Sequence, residues 1–236
     1  MKEKELNFKN LANSRVNKAE TIIQSFDDLK HLAIKGDNIN QLSIGAIPTV
    51  APYLLPKILK TISKQYKDVI IEPKEAVTEK LVSYLINGKI DLAFLALPTY
   101  EPLLTEVALF EEEFLLIRDI KDAKKPVPNN KELTNMKLLL LEEGHCLRSQ
   151  ALEVCSLKGI NENQDFRATS LETLRQMIDS GNGVTLIPEI ATKIKSKNIK
   201  YIPYGKPQHF RKIALVYRKT SPREKLFKEF IKVAKI

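Results

Sequence analysis

Apolar residues recur along this chain at two intervals, and the change from one to the other divides it. From Phe8 to Ala33 they return mostly every three or four positions, through Leu11, Ala12, Val16, Ala19, Ile22, Ile23, Phe26, Leu29, Leu32 and Ala33. That is the stripe of an amphipathic helix about seven turns long. Lys35-Gly36-Asp37-Asn38 follows as a helix stop. With no sheet element beside it in sequence, the stripe needs a partner, so residues 1–40 read as a linker and dimerisation helix.

From Gln41 onward short apolar runs alternate with helical stripes. A strand over Gln41–Ala46 leads through Ile47-Pro48-Thr49-Val50-Ala51-Pro52 into a helix to about Gln65, with prolines where an opening turn tolerates them. A strand over Asp68–Glu72 precedes Thr78 and a helix reaching Asn87, stopped by Gly88. Ile90–Leu97 is almost unbroken in its apolar character, as a strand buried on both faces would be. Val107–Phe110 and Phe114–Arg118 read as two short strands around Glu111-Glu112-Glu113, and the polar 121–130 stretch reads as a crossover. A second set follows: strand 137–141, helix 147–158, strand 165–168, helix 171–180, strand 183–187 and a short helix after Pro188. Thr169-Ser170-Leu171-Glu172 fits a capping box. Strands at 200–203 and 212–217 and a helix over 222–235 close the chain. Such βαβ alternation argues for an α/β fold with parallel sheets in two lobes and a cleft between them.

Composition narrows the class. With 43% apolar and 28% charged residues the 236-residue chain matches a globular protein. No apolar stretch is long enough for a membrane span, and the N-terminus lacks the apolar core of a secretory signal. A cytoplasmic location without membrane attachment is therefore expected. The net charge of +9 is concentrated from Glu189 onward, where eleven Lys and three Arg face three Glu. With no interleaved aromatic ladder, this reads as a solvated lysine-rich surface.

The chain has two cysteines, Cys146 and Cys155, both in the helix that begins after Gly144-His145. Nine residues of helix put the sulfurs on roughly opposite faces, about 13 Å apart along the axis. A disulfide requires Cα atoms within about 7 Å. Helix and disulfide thus exclude one another, which is the physical recipe for a redox switch. Cys146 has His145 beside it, Arg148 two residues on, and a helix N-terminus that favours a thiolate. Cys155 shares an apolar stripe with Leu147, Ala151 and Val154, so an inert buried thiol is the competing reading. The two cysteines and the scattered His31, His145 and His209 give no standard zinc spacing, and no cofactor or metal is expected.

Two stretches, Leu42-Ser-Ile-Gly-Ala-Ile-Pro-Thr-Val-Ala-Pro-Tyr-Leu-Leu-Pro56 and Gly181-Asn-Gly-Val-Thr-Leu-Ile-Pro188, resemble the effector-binding domain of LysR-type transcription regulators. Glu143-Gly-His-Cys-Leu-Arg148 with Cys155, and Phe166-Arg-Ala-Thr-Ser-Leu-Glu-Thr-Leu-Arg175, are similar to the peroxide-sensing OxyR branch of that family. The resemblance covers about residues 10–236. It implies two Rossmann-like subdomains of the type 2 periplasmic-binding-protein fold behind an N-terminal linker helix. Subdomain I would comprise about 41–117 and 208–236, and subdomain II about 118–207.

The resemblance also implies roles. Cys146 would react with hydrogen peroxide to a sulfenic acid, and Cys155 would condense with it to a disulfide. Thr49, Thr78, His145, Arg148 and Arg211 would form the peroxide pocket. Thr78 could instead cap its helix, and Arg148 could merely pair with a neighbour. Ser149 stands where such regulators carry an acidic residue, and Asp165 where they carry a histidine. Implied partners are a second copy in a dimer or tetramer and a thiol reductant such as glutaredoxin. DNA and RNA polymerase would be reached only through a winged helix-turn-helix, which does not precede Leu42 here. Two other classes compete: a LysR-type domain sensing a small metabolite in the cleft, and a thiol peroxidase or Cys/His hydrolase. Adjacent His145 and Cys146 are poor geometry for a separately positioned base.

Overall fold

The computed structural model describes residues 41–154, 167–204 and 209–234, together with 15, 16, 18, 19, 22, 23 and 26 of an N-terminal helix. On that helix Val16, Ile22 and Ile23 are exposed, so their stripe is not covered by the described part of the chain.

In the first lobe β1 (Gln41–Ala46) lies between β2 (Ile70–Glu75) and β3 (Leu92–Ala96), parallel to both. β2 runs through Pro73, past the expected end at Glu72. As an edge strand paired only with β1 it loses no ladder bond to the missing N–H. Helix α1 (Ala51–Gln65) buries Ala51, Leu54, Leu55, Ile58 and Ile62, the spacing of one face. Each of the leucine and isoleucine side chains contributes roughly 1.5–3 kcal/mol on burial. Helix α2 (Thr78–Ile86) buries Leu81 and Leu85. A Cβ at Gly45 would come within 2.7 Å of Leu81 and 2.8 Å of Ile90, so this strand glycine lets α2 pack closely on β1. All five residues of β3 are buried, as its unbroken apolar run predicts.

The two short strands expected around the acidic triplet are one. β4 (Leu104–Asp119) runs 16 residues, with a bulge between Ala108 and Phe110. Its first half pairs antiparallel with β9 (Phe210–Arg218), which also pairs antiparallel with β3, so the sheet is mixed. Its second half pairs with β7 (Thr185–Pro188) and β8 (Ile199–Pro203). The chain thus passes between lobes inside one strand. The acidic triplet interrupts the apolar pattern but not the backbone ladder.

The second lobe has its own core, including Phe114, Leu116, Ile117, Leu139, Leu147, Ala151, Leu174 and Ile187. After β4 stands α3 (Asn130–Thr134), capped reciprocally by Asn129 and Glu132. β5 (Leu140–Leu141) pairs parallel with β6 (Arg167–Ala168), and Leu138 bridges Val184. Helix α4 spans Cys146–Val154 and α5 spans Leu171–Asp179. The expected capping box at 169–172 does not form: Ser170 rather than Thr169 is the cap, its hydroxyl accepts from the backbone N–H of Thr173, and no glutamate stands at the third helical position to complete a box. Helix α6 (Glu224–Ala234) returns to the first lobe, where Phe227 packs at a tilt against the Tyr217 ring and Arg223 pairs with Asp91 at 2.7 Å.

Candidate functional site

After β1 the chain turns at Ile47, whose carbonyl accepts from both Val50 N–H and Ala51 N–H at 2.9 Å. This turn buries Thr49 just before α1. The Thr49 side chain does not cap that helix. Its Oγ1 accepts from Arg211 Nη1 at 3.0 Å, and its carbonyl accepts from Nη2 at 3.4 Å.

Arg211 in turn is held by Glu112. The two are direct cross-strand partners in the antiparallel β4–β9 ladder, side chains on one face. Arg211 Nε and Nη2 both reach Glu112 Oε1, at 2.8 and 2.7 Å. Glu112 Oε2 accepts from the backbone N–H of Ile190 at 2.8 Å. Both residues are 3% exposed. One residue along, Glu111 and Lys212 pair at 3.0 Å on the solvent face. A pair buried this deeply adds little net stability over apolar packing, but removing one partner costs about 3–5 kcal/mol.

Thr78 opens α2, and the residue at the cap position is Val77, which has no side chain able to cap. The capping alternative for Thr78 therefore fails. Its Oγ1 is buried and has no hydrogen-bond partner. A buried hydroxyl without a partner is costly and calls for an explanation, such as a ligand or water.

Against the start of α2 lies the loop that carries Cys146. A Cβ at Gly144 would sit 3.8 Å from Val77 Cγ1, and Gly144 itself has φ +93°, a conformation suited to glycine. The helix that follows buries Leu147, Ala151 and Val154 in the second lobe's core. Its first residue, Cys146, packs instead against the core of the first lobe. The Cys146 thiol is half-buried and free. It thus sits at a helix N-terminus at the junction of the lobes.

His145 is buried, and its carbonyl accepts the Arg148 N–H at 3.0 Å. Arg148 is buried as well, and its Nη1 donates to the Leu141 carbonyl at 3.2 Å. Arg148 thereby ties the first turn of α4 to the end of β5, closing the loop that presents Cys146. Glu142 N–H donates to the Ala168 carbonyl at 3.0 Å, and Arg167 pairs with Glu143 at 3.1 Å, bracing the same loop.

The structure thus joins Thr49 directly to Arg211, and brings the Gly144–Cys146 loop against the start of the Thr78 helix. Cys155 and Asp165 lie outside the described residues, and Ser149 is exposed. Sequence reasoning missed Glu112. Its signal was period two along β4, which puts it on the face of the buried Phe114 and Leu116.

It also missed a further buried arginine. Arg175 falls on the apolar face of α5 with Leu171, Leu174 and Ile178, and that placement was its signal. Its guanidinium donates to the carbonyls of Ala191, at 2.9 Å, and Ile194, and to the Tyr53 hydroxyl of α1 at 3.3 Å. Arg175 Nε lies 3.1 Å from Glu172 Oε2, within ion-pair reach but not aligned for a hydrogen bond. Burial pushes the Tyr53 phenol above the usual tyrosine range, outweighing the lowering by Arg175. Among the described residues no three His, Cys, Asp or Glu side chains converge as a metal site would, and no helix is long and apolar enough to cross a membrane.

Comparison with known proteins adds an independent finding. The family model described as LysR substrate binding domain matches residues 35–235. The DNA-binding transcriptional dual regulator OxyR of Escherichia coli is 40% identical over 213 residues, covering 88% of this chain and 70% of the relative. Among solved structures, a sulfate-bound mutant regulatory domain of OxyR2 from Vibrio vulnificus superposes with a TM-score of 0.74 at 32% identity, over 84% of this chain and 95% of that one. A cysteine mutant of OxyR from Corynebacterium glutamicum with hydrogen peroxide bound gives a TM-score of 0.74 at 30% identity, over 95% of this chain and 72% of that one.

Proposed function

The chain belongs to the LysR substrate-binding domain family, with OxyR regulators among its relatives, and from that premise we propose that it is a hydrogen peroxide-sensing regulatory domain. One observation carries the reading: a buried, unpartnered Thr78 hydroxyl at the start of the helix that the Cys146 loop abuts. A small polar ligand with both donor and acceptor oxygens would satisfy it, and hydrogen peroxide is such a ligand.

The Cys146 thiolate attacks one peroxide oxygen and the O–O bond breaks. That oxygen stays on sulfur as a sulfenic acid, and the other departs as hydroxide and takes up a proton to become water. Thr49 and Thr78 hold the peroxide, with Arg211 behind Thr49. The buried His145 serves the leaving oxygen. Arg148 holds the loop so that the sulfur faces the junction. The helix N-terminus stabilises the thiolate before attack. In the second step the Cys155 thiol attacks the sulfenic sulfur, water leaves, and a Cys146–Cys155 disulfide forms. A dithiol reductant such as glutaredoxin returns the two electrons. Each molecule is oxidised once and then reset, so the chain acts as a regulator. The exposed N-terminal stripe serves self-association into a dimer or tetramer, and a DNA-binding domain carries the signal to promoters and polymerase.

Mass spectrometry of tryptic peptides, thiols blocked, before and after one equivalent of hydrogen peroxide tests this. A Cys146–Cys155 cross-link within one chain is the expected result, abolished in Cys146→Ser. In Cys155→Ser, Cys146 still forms a sulfenic acid that a dimedone-type reagent traps. Two persistently free thiols would overturn the proposal.

A further inference from the structure

Glu112 does not touch the peroxide in the proposed reaction, yet every polar contact of Arg211 with Thr49 depends on how Arg211 is held. A guanidinium on three rotatable carbons has many orientations, and a single hydrogen bond would not fix one. Here a single carboxylate oxygen takes both Nε and Nη2 of Arg211, at 2.8 and 2.7 Å, which fixes the plane and roll of the guanidinium. Nη1, the nitrogen this carboxylate does not engage, is thereby aimed at Thr49 Oγ1. Glu112 is itself held from its other side, where Oε2 accepts from Ile190 N–H, so it cannot follow Arg211 if the arginine turns.

The consequence reaches the hydroxyl. Arg211 offers only hydrogens, so Thr49 Oγ1 is bound as an acceptor and its own O–H is left to donate elsewhere. Resting on the peroxide-sensing reading, we infer that Glu112 is a positioning residue for the oxidation of Cys146. It fixes Arg211, Arg211 fixes Thr49 as a hydrogen-bond donor, and Thr49 presents that hydrogen to a peroxide oxygen. The Ile190 contact anchors the Glu112 carboxylate to the segment that follows β7, where Ile190 itself packs in the first lobe's core.

The test measures, on the whole chain with Cys155→Ser as background, the second-order rate of Cys146 oxidation by hydrogen peroxide and, separately, its alkylation by iodoacetamide across pH. Alkylation reports thiolate content and access and needs no aligned donor. In Glu112→Gln, with the carboxamide placing a donor against either Arg211 or Ile190 N–H, oxidation is expected to slow by about tenfold or more while the alkylation profile stays put. On a Thr49→Val background the same change is expected to slow oxidation by less than about twofold, since the hydroxyl it aligns is gone. Should Glu112→Gln not fold, Glu112→Asp takes its place, keeping the charge but withdrawing it by one methylene, with at least about threefold slowing expected.

An unchanged oxidation rate, an equal fall in alkylation, or full additivity with Thr49→Val would each overturn the inference. These results differ from failure of the underlying function. In that case the parent protein itself oxidises no faster than a free thiol, whereas a fast parent with an equally fast Glu112→Gln variant removes only the role of Glu112.

Discussion

Arg211 and Thr49, 162 residues apart in sequence, meet at 3.0 Å with both side chains buried. The contact joins the returning strand β9 to the turn before α1, so the end of the chain completes a site begun at its start. Fork geometry makes it possible, since one guanidinium reaches a carboxylate on β4 and a hydroxyl in the turn together. Arg211→Lys keeps the charge but offers a single point. The lysine is expected to stay on Glu112 and release Thr49, slowing Cys146 oxidation about tenfold with a stability loss of about 1–3 kcal/mol. Stopped-flow oxidation and urea unfolding measure the two effects. Wild-type oxidation in a stably folded Arg211→Lys protein would show that the Thr49 contact is idle.

Thr78→Val should move stability and reactivity in opposite directions. The Thr78 hydroxyl is buried without a partner, and such a group costs about 1–3 kcal/mol. Replacing it by a methyl of similar shape is expected to raise the unfolding free energy by about 1 kcal/mol. The same change removes a ligand contact and is expected to slow oxidation by several-fold, roughly the value of one hydrogen bond. Thermal unfolding of Thr78→Val alongside its oxidation rate checks both signs. A destabilised variant would mean the hydroxyl already has a partner.

Gly183→Ala probes the second lobe. Gly183 has φ +90°, and a Cβ there would run into the carbonyl oxygen of Lys137. That carbonyl accepts the Val184 N–H at 3.0 Å, so the backbone cannot withdraw without breaking the link between β5 and β7. We expect a loss of at least about 1–3 kcal/mol from backbone strain alone. Denaturant unfolding measures it, and an alanine variant as stable as the parent would contradict the close approach.

Much of this fold was legible because local signals agreed with it. Gly88 ends α2 at the expected place, the apolar run before Pro98 is a fully buried strand, and α1 starts among its prolines. Misreadings arose where tertiary context overrode local pattern. The triplet at 111–113 looks like a break, but Glu112 has a cross-strand arginine to neutralise it and the strand continues. Pro73 looks like a strand end, but an edge position tolerates it. Of the candidate site, Thr49 and Thr78 entered through the family resemblance, and Cys146 also through its place at a helix start. Glu112 and Arg175 were missed: each falls on an apolar face, but the contacts that make a charge tolerable there include groups 99 and 122 residues away, Arg211 and Tyr53.

Tyr53 carries the last prediction. Its hydroxyl accepts from Arg175 Nη2 at 3.3 Å, linking α1 of the first lobe to α5 of the second. Arg175 would favour an ionised phenol, yet burial dominates and holds the pKa above the usual tyrosine value. The sign of the linkage follows. As pH rises past the ordinary range near 10, Tyr53 ionises first in the unfolded chain, which pulls the equilibrium away from the folded state. Its contribution is therefore intact below that pH and lost as pH climbs through the folded value. Tyr53→Phe should cost about 1 kcal/mol at neutral pH, because a buried Arg175 N–H loses an acceptor. It should then lose stability less steeply above pH 10 than the parent. Burial raises Tyr217 as well, so the parent and variant curves must be compared by difference. Unfolding free energies from pH 7 to 11, with absorbance at 295 nm following phenolate, give both quantities. Parallel curves above pH 10 would mean that the Tyr53 phenol reaches solvent and that the arginine link between the lobes is loose.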